Sequence, residues 1–181
     1  MNLPPTIQLH VLSTGYRSRH EEKVISRHLE LAIAPGEVVM LMGPNGSGKS
    51  TLMHTMAGLL PPLSGEVIIS GKPLSSLKMK KLARLLSLVL TERIPADNMA
   101  ISDIVAVGRY PYTGFRGSLR PEDKAVIHEA LTACHLDGMQ ERLYSTLSDG
   151  EKQRVMIARA LAQETPLILL DEPTAHLDLP S

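Results

Sequence analysis

Gly43-Pro44-Asn45-Gly46-Ser47-Gly48-Lys49-Ser50-Thr51 fits the pattern G-x-x-x-x-G-K-[ST] of a phosphate-binding loop. The apolar run Val38-Val39-Met40-Leu41-Met42 leads in and reads as a buried strand. Leu52-Met53-His54-Thr55-Met56-Ala57 leads out with a helical pattern. A strand, a glycine-rich turn and a helix are the context such a loop requires. The glycines let the backbone approach phosphate oxygens closely, and successive N–H groups then form an anion nest. The helix adds its positive N-terminal end. Lys49 is expected to reach the β- and γ-phosphates, Ser50 to offer its hydroxyl to Mg²⁺, and Thr51 to add a donor. Against a chance glycine-rich turn, the flanking strand and helix favour phosphate binding.

The rest of the composition sets bounds. The 181 residues suffice for one domain with a sizeable core, and 43% hydrophobic with 21% charged is an ordinary globular balance. Nineteen basic and nineteen acidic residues cancel, which gives no electrostatic case for a nucleic-acid partner. Aromatic residues are only 3% with no Trp, so base-stacking platforms are not expected either. The single cysteine, Cys134, excludes an intrachain disulfide and fits a reducing compartment. No apolar run approaches the ~20 residues that span a bilayer, and Met1 to Pro5 do not look like a signal peptide. The expectation is a cytoplasmic chain, unless a partner holds it at a membrane.

Along the chain, Ile7 to Leu12 and Lys23 to Ile33 read as strands, the second closed by the turn Ala34-Pro35-Gly36-Glu37. Tyr16 falls in a polar loop between them. By itself it reads as a half-buried loop tyrosine rather than a stacking ring. Gly65 to Gly71 reads as a strand. Ser75 to Arg84 reads as a helix whose Lys78, Lys80, Lys81 and Arg84 form a solvated face. Leu85 to Leu90 suits a strand buried on both faces. From Thr91 to about Gln163 the pattern is helical, with one helix at Ile101 to Val107 and another opened by Pro121. Ile127, Leu131 and Cys134 recur at helical spacing, which makes Cys134 a core residue. The nine methionines read as core filler, and the seven histidines show no metal-ligand spacing. Alternating strands and helices argue for an α/β fold with a mostly parallel sheet.

Two further constellations carry chemistry. Leu167-Ile168-Leu169-Leu170-Asp171-Glu172 is an apolar strand ending in two carboxylates, at the rim where open α/β sheets bind ligands. Asp171 is expected to face a Mg²⁺ site and Glu172 to polarise the attacking water. The plain alternative is a solvated acidic turn. Ser148 and Glu151 have the S-x-x-E spacing of a capping box before a long helix, Lys152 to Gln163. Beyond capping, Ser148 and the N–H of Gly150 would meet a γ-phosphate. The phosphate loop already covers one side of that phosphate, so this second site should belong to another subunit.

Together these residues resemble the nucleotide-binding subunit of an ABC transporter over nearly the whole chain. The resemblance rests on the Walker A loop Gly43 to Thr51, the signature Leu147-Ser148-Asp149-Gly150-Glu151-Lys152-Gln153-Arg154, the Walker B strand Leu167 to Asp171, Glu172, and the D-loop Ala175-His176-Leu177-Asp178, in family order. It implies a P-loop NTPase core with N-terminal antiparallel strands and an inserted helical subdomain at about 92–163. It implies Mg²⁺-dependent ATP hydrolysis with Lys49 and Glu172 catalytic, and metal held by Ser50, Asp171 and Thr91. ATP would be held by Tyr16, the loop Gly43, Pro44, Asn45, Gly46, Ser47, Gly48, Lys49, Ser50 and Thr51, and by Ser148, Gly150 and Asp178. Tyr16 matches the aromatic that stacks on adenine. Val107-Gly108-Arg109-Tyr110-Pro111-Tyr112 is similar to a segment of ATPases that serve ferric-siderophore, haem and cobalamin importers. The implied partners are membrane permease subunits, a second ATPase copy and, indirectly, a substrate-binding protein. The implied location is the inner face of the membrane.

Three departures from the family stand out. The signature carries Asp149 and Glu151 where the common form has Gly and Gln. Thr91-Glu92 stands where the family's glutamine follows its strand, and either Thr91 or Glu92 could still supply an oxygen near Mg²⁺ or its water. The sequence stops at Ser181, shortly after the D-loop, where the family continues through another strand and a switch histidine, a place that His176 does not fill. A single nucleotide-binding domain over 1–181, with the last part of its core missing, is the resulting expectation. A nucleotide-binding fragment without turnover is the alternative. A soluble ABC-type ATPase of translation or DNA repair is disfavoured, because neither two fused cassettes nor a long insertion is present.

Overall fold

A computed structural model describes residues 4–91, 95–114 and 117–172. It divides into two compact units, Met1–Leu86 and Ser87–Ser181.

In the first unit, β1 (Ile7–Arg17) lies between β2 (Glu22–Ile33) and β3 (Ser64–Ile69), antiparallel to both, and the two-residue β4 (Lys72–Pro73) adds to β3. Ile7 sits opposite Ile33 on one side and Ile69 on the other. Ile7, Leu9 and Leu12 of β1 are fully buried with Val67 and Ile69 of β3. Strict alternation would turn Leu12 outward after Leu9. A register shift between Leu9 and Leu12, with Val11 at φ 46, inserts the extra residue that returns Leu12 to the core. Gly65 makes this bulge possible, since a Cβ there would stand 2.3 Å from the Val11 carbonyl oxygen. The helix α1 (Lys49–Met56) packs on β1 and buries Leu52, Met53 and Met56.

Three expectations change here. Tyr16 belongs to β1, paired with Lys23, and not to a loop. The helix read over Ser75 to Arg84 is broken into a 3-10 turn, Leu74–Ser76, and the single turn α2 (Met79–Leu82). The break falls where Leu77 and Lys78 take extended backbone angles. The run Val38 to Met42 forms no strand and is open to solvent, with Val38 97%, Met40 79% and Met42 81% exposed. An apolar run becomes a buried strand only when neighbours supply both its hydrogen bonds and its cover. The described residues place no strand beside this one.

In the second unit, β5 (Leu86–Val89) pairs with β6 (Leu167–Leu170). Three helices follow the expected order: α3 (Ile101–Ala106), α4 (Pro121–Ala133) and α5 (Asp149–Ala162). Ile101, Ile104 and Val105 of α3, Ile127 and Leu131 of α4, and Val155 and Ala158 of α5 share one core. Cys134 is buried in it as expected, and burial pushes its thiol pKa up. Met156 and Ala160, on another side of α5, pack against Val89. So α5 joins the helical core to the small sheet, and the residue ahead of it, Ser148, is set by a helix fixed along its length.

Candidate nucleotide site

The phosphate loop is built on α1. Gly48 is the N-cap of that helix at φ 95, a left-handed conformation that suits glycine. A Cβ at Gly48 would also stand 2.2 Å from Ile25 Cγ2, so the loop is seated on β2 where only a hydrogen fits. No side chain caps the helix, so its first-turn N–H groups are not taken by a capping oxygen. Ser47 N–H donates to the Pro44 carbonyl at 3.2 Å and tightens the turn. Lys49 Nζ donates to the carbonyls of Gly43 and Pro44, both at 3.0 Å, which holds the ammonium over the loop. Ser50 is half-buried beside it. Thr51 is buried, and its hydroxyl lies 3.1 Å from the Tyr16 hydroxyl. That contact ties the β1 aromatic to the helix of the loop, while about half of the Tyr16 surface stays open. The loop thus offers N–H groups, a helix N-terminus, an ammonium and a hydroxyl, donors suited to a nucleoside phosphate, and half-exposed Tyr16 is tied to it through Thr51.

In the second unit, Asp171 and Glu172 follow β6. Asp171 N–H donates to the Val89 carbonyl at 2.9 Å, and Thr91 Oγ1 donates to the Asp171 carbonyl at 3.0 Å. Thr91 and Asp171 are thus neighbours at the ends of paired strands. Asp171 is buried and Glu172 is exposed, with Glu172 at φ 46. A non-glycine residue held in that region costs roughly 1 kcal/mol or more and is concentrated at functional positions. No sequence pattern announces it. Among the described residues no group of three or more His, Cys, Asp or Glu side chains would hold a metal ion. Within the second unit, Asp171 and the neighbouring Thr91 offer a carboxylate and a hydroxyl oxygen, ligand types that suit Mg²⁺, which keeps much of its water.

The capping box at α5 forms as its spacing predicts. Glu151 N–H donates to Ser148 Oγ at 3.3 Å, and Glu151 Oε2 accepts from the Ser148 N–H at 2.7 Å and from its hydroxyl at 2.8 Å. The Ser148 N–H, and then its hydroxyl, hold the Glu151 carboxyl below its usual range, with Arg142 at 3.4 Å adding to the effect. Ser148 itself is exposed, and Gly150 is half-buried. Ser148→Ala should cost about 1 kcal/mol by loss of the cap. Thermal unfolding followed by circular dichroism reads that loss.

Of the other candidates, Glu92 and the D-loop with Asp178 lie outside the described residues. In the Val107 to Tyr112 segment, Val107 and Tyr110 are exposed and Gly108 and Arg109 are buried. Sequence reading missed the buried role of Arg109. The only signal for it was a charged residue beside a glycine that packs against the Arg159 carbonyl.

A family model described as "ABC transporter" matches residues 26–175, from β2 through the phosphate loop and the capped helix to beyond β6. The chain belongs to the ABC transporter family. An ABC transporter ATP-binding protein of Methanocaldococcus jannaschii is 45% identical over 92% of this chain and 56% of its own length. A probable siderophore transport system ATP-binding protein of Bacillus subtilis is 38% identical over 96% of this chain and 62% of its own length. Among solved structures, a dimeric ATP-binding cassette in a post-hydrolysis state with ADP and Pi matches 95% of this chain and 76% of its own, at 30% identity and TM-score 0.79. The chain therefore spans between 56% and 62% of the length of these two relatives. The ABC family membership, with its P-loop α/β fold, agrees with the architecture read from the sequence.

Proposed function

We propose that this chain is the nucleotide-binding part of an ABC importer ATPase whose cargo is a ferric siderophore, haem or cobalamin. The phosphate loop carries the reading: an uncapped helix N-terminus, seated on β2 through Gly48, with Lys49 held over it. The relative that serves a siderophore transport system supports the cargo class. ATP would lie with its adenine on Tyr16 and its phosphates in Gly43 to Thr51. Two copies would pair head to tail, so that Ser148 and Gly150 of one meet the γ-phosphate held by the other, with Asp178 contributing from the D-loop. A solved cassette that is dimeric with ADP and Pi bound supports the pairing of two copies.

Ser50, Asp171 and Thr91 would hold Mg²⁺, which supplies charge neutralisation at the β- and γ-phosphates when bound. Lys49 and the loop N–H groups stabilise charge on the transferred group. Glu172, exposed at the end of β6, takes the proton of the attacking water. Residues 92–163 act as the helical subdomain that meets permease subunits. A substrate-binding protein takes part indirectly, and no nucleic acid is involved. Among the described residues no helix is long and apolar enough to cross a membrane. Binding to permease subunits would hold the chain at the inner face.

Lys49→Ala tests the reading. Loss of one preorganised charge of this kind typically costs about 10²–10³ in rate, and ATP binding should weaken alongside. Titration with a fluorescent ATP analogue and phosphate release read the two effects. Unchanged affinity and turnover would remove the loop from the mechanism. A second reading, nucleotide binding without turnover, is favoured by the open Val38 to Met42 run directly before the loop. ATP hydrolysis by the 181-residue chain at ordinary family rates would eliminate it.

A further inference from the structure

Residues 67–91 contain five cations, Lys72, Lys78, Lys80, Lys81 and Arg84, and no acidic residue. In a chain with nineteen charges of each sign, this is a local segregation of charge. Lys78, Lys80, Lys81 and Arg84 are all exposed, and their side chains, with Leu85, surround one open hollow of about 510 Å³. Lys72 reaches the same place from β4. Its side chain meets Lys81, holding Lys81 below the usual lysine range first by hydrogen bonding and then by like-charge repulsion. An anion set among these groups would relieve that repulsion.

The patch also has an apolar member. Met79 is 72% exposed, between Lys78 and Lys80. A free anion in water would give that thioether nothing to contact. At a lipid surface the cations meet headgroup phosphates while an apolar side chain enters the acyl boundary. We propose that the cavity and surface formed by Lys72, Lys78, Met79, Lys80, Lys81 and Arg84 are a binding site for anionic phospholipid headgroups. The site lies wholly within the first unit, so it stands or falls independently of the nucleotide reading. It would give the chain a direct attachment to the membrane, separate from any protein partner.

Lys80 and Arg84 already have partners within the chain, so the test uses Lys78 and Lys81. A cation near an anionic leaflet contributes about fivefold in membrane affinity. The full chain should sediment with phosphatidylcholine vesicles containing about one third phosphatidylglycerol and not with phosphatidylcholine alone, and salt should release it. Lys78→Gln with Lys81→Gln should weaken binding by about 25-fold. Met79→Ser should weaken it by about tenfold, as part of a methionine is no longer buried. A charge-matched control, Arg19→Gln with Lys124→Gln, should bind as the unaltered chain does. All of these positions are exposed, so circular dichroism should show intact folds. The proposal is overturned if anionic vesicles are not bound, if the control loses as much as the cavity variant, or if pyrophosphate binds where vesicles do not. That last result would assign the cavity to a free anion.

Discussion

Glu172→Gln should lower steady-state ATP turnover by about 10²–10⁴-fold while leaving nucleotide affinity close to unchanged. Glutamine keeps the size and hydrogen-bonding reach of the side chain and removes only its basicity. The structure separates the two carboxylates at the end of β6. Asp171 is buried, with its backbone fixed by Val89 and Thr91, while Glu172 is open to solvent. A base that takes a proton from water must reach water, and Glu172 is the member of the pair that does. The inside–outside alternation of β6 carries on past its end, which turns Asp171 inward and Glu172 outward. On the proposed head-to-tail pairing, dimers should accumulate with ATP in the variant, because hydrolysis would no longer resolve them. Phosphate release and gel filtration with ATP read the two halves. Undiminished turnover would assign the base elsewhere.

Arg109→Ala should be among the most destabilising single changes in the second unit, at about 3 kcal/mol. Arg109 is only 6% exposed. Its Nε donates to Asp123 Oδ1 at 2.9 Å, and its Nη1 donates to the Ala162 carbonyl at 2.8 Å and to Glu164 Oε2 at 2.6 Å. Its guanidinium also lies 4.2 Å from the centre of the Tyr112 ring. One side chain thus ties the start of α4 to the end of α5. Alanine would leave Asp123 buried without its charged partner, the costly way to break such a pair. The value is set at the low end of the usual range because Asp123 Oδ2 still accepts the Arg120 N–H at 2.9 Å. Arg109→Lys should fall between, since an ammonium keeps the charge but cannot form the same fork.

The Asp123 carboxyl gives the same network a pH signature. The Arg120 N–H, and then Arg109, hold its pKa below the usual aspartate range. A carboxyl depressed in the folded state contributes stability above its unfolded value of about 3.9 and loses it as pH falls through the folded value. Thermal unfolding measured from about pH 6 downward should show that loss only below about pH 4 in the unaltered protein. Asp123→Asn should be less stable at neutral pH and less sensitive to acid. An unchanged acid slope in that variant would show that Asp123 does not supply it.

Much of the candidate site was legible because it is local. The phosphate loop needs glycines and a lysine within nine consecutive residues, Gly43 to Thr51, and the chain supplies them. The capping box needs only Ser148 and Glu151 three apart, and its hydrogen bonds form at that spacing. β6 was visible as a short unbroken apolar run, Leu167 to Leu170, and α5 through the capping box that opens it. In each case the interacting groups are neighbours in the chain, so the pattern and the contact coincide.

Tertiary structure decided what depends on distant partners. Tyr16 meets Thr51 across 35 residues, and this turned a loop tyrosine into part of a strand beside the phosphate loop. Arg109 is buried because Ala162 and Glu164, more than 50 positions away, accept its hydrogens. Val38 to Met42 has the composition of a buried strand and is exposed, because composition supplies the tendency to be covered and only neighbours supply the cover. Lys78, Lys80, Lys81 and Arg84 carry their charge in the sequence, but only folding sets them around one hollow. The sequence by itself thus determined the glycine-rich turn into α1 and the capped helix, whose geometry is set within one or two turns of chain. Which side chains are buried, paired or presented to a partner was settled by packing, since burial belongs to the surroundings of a residue and not to the residue.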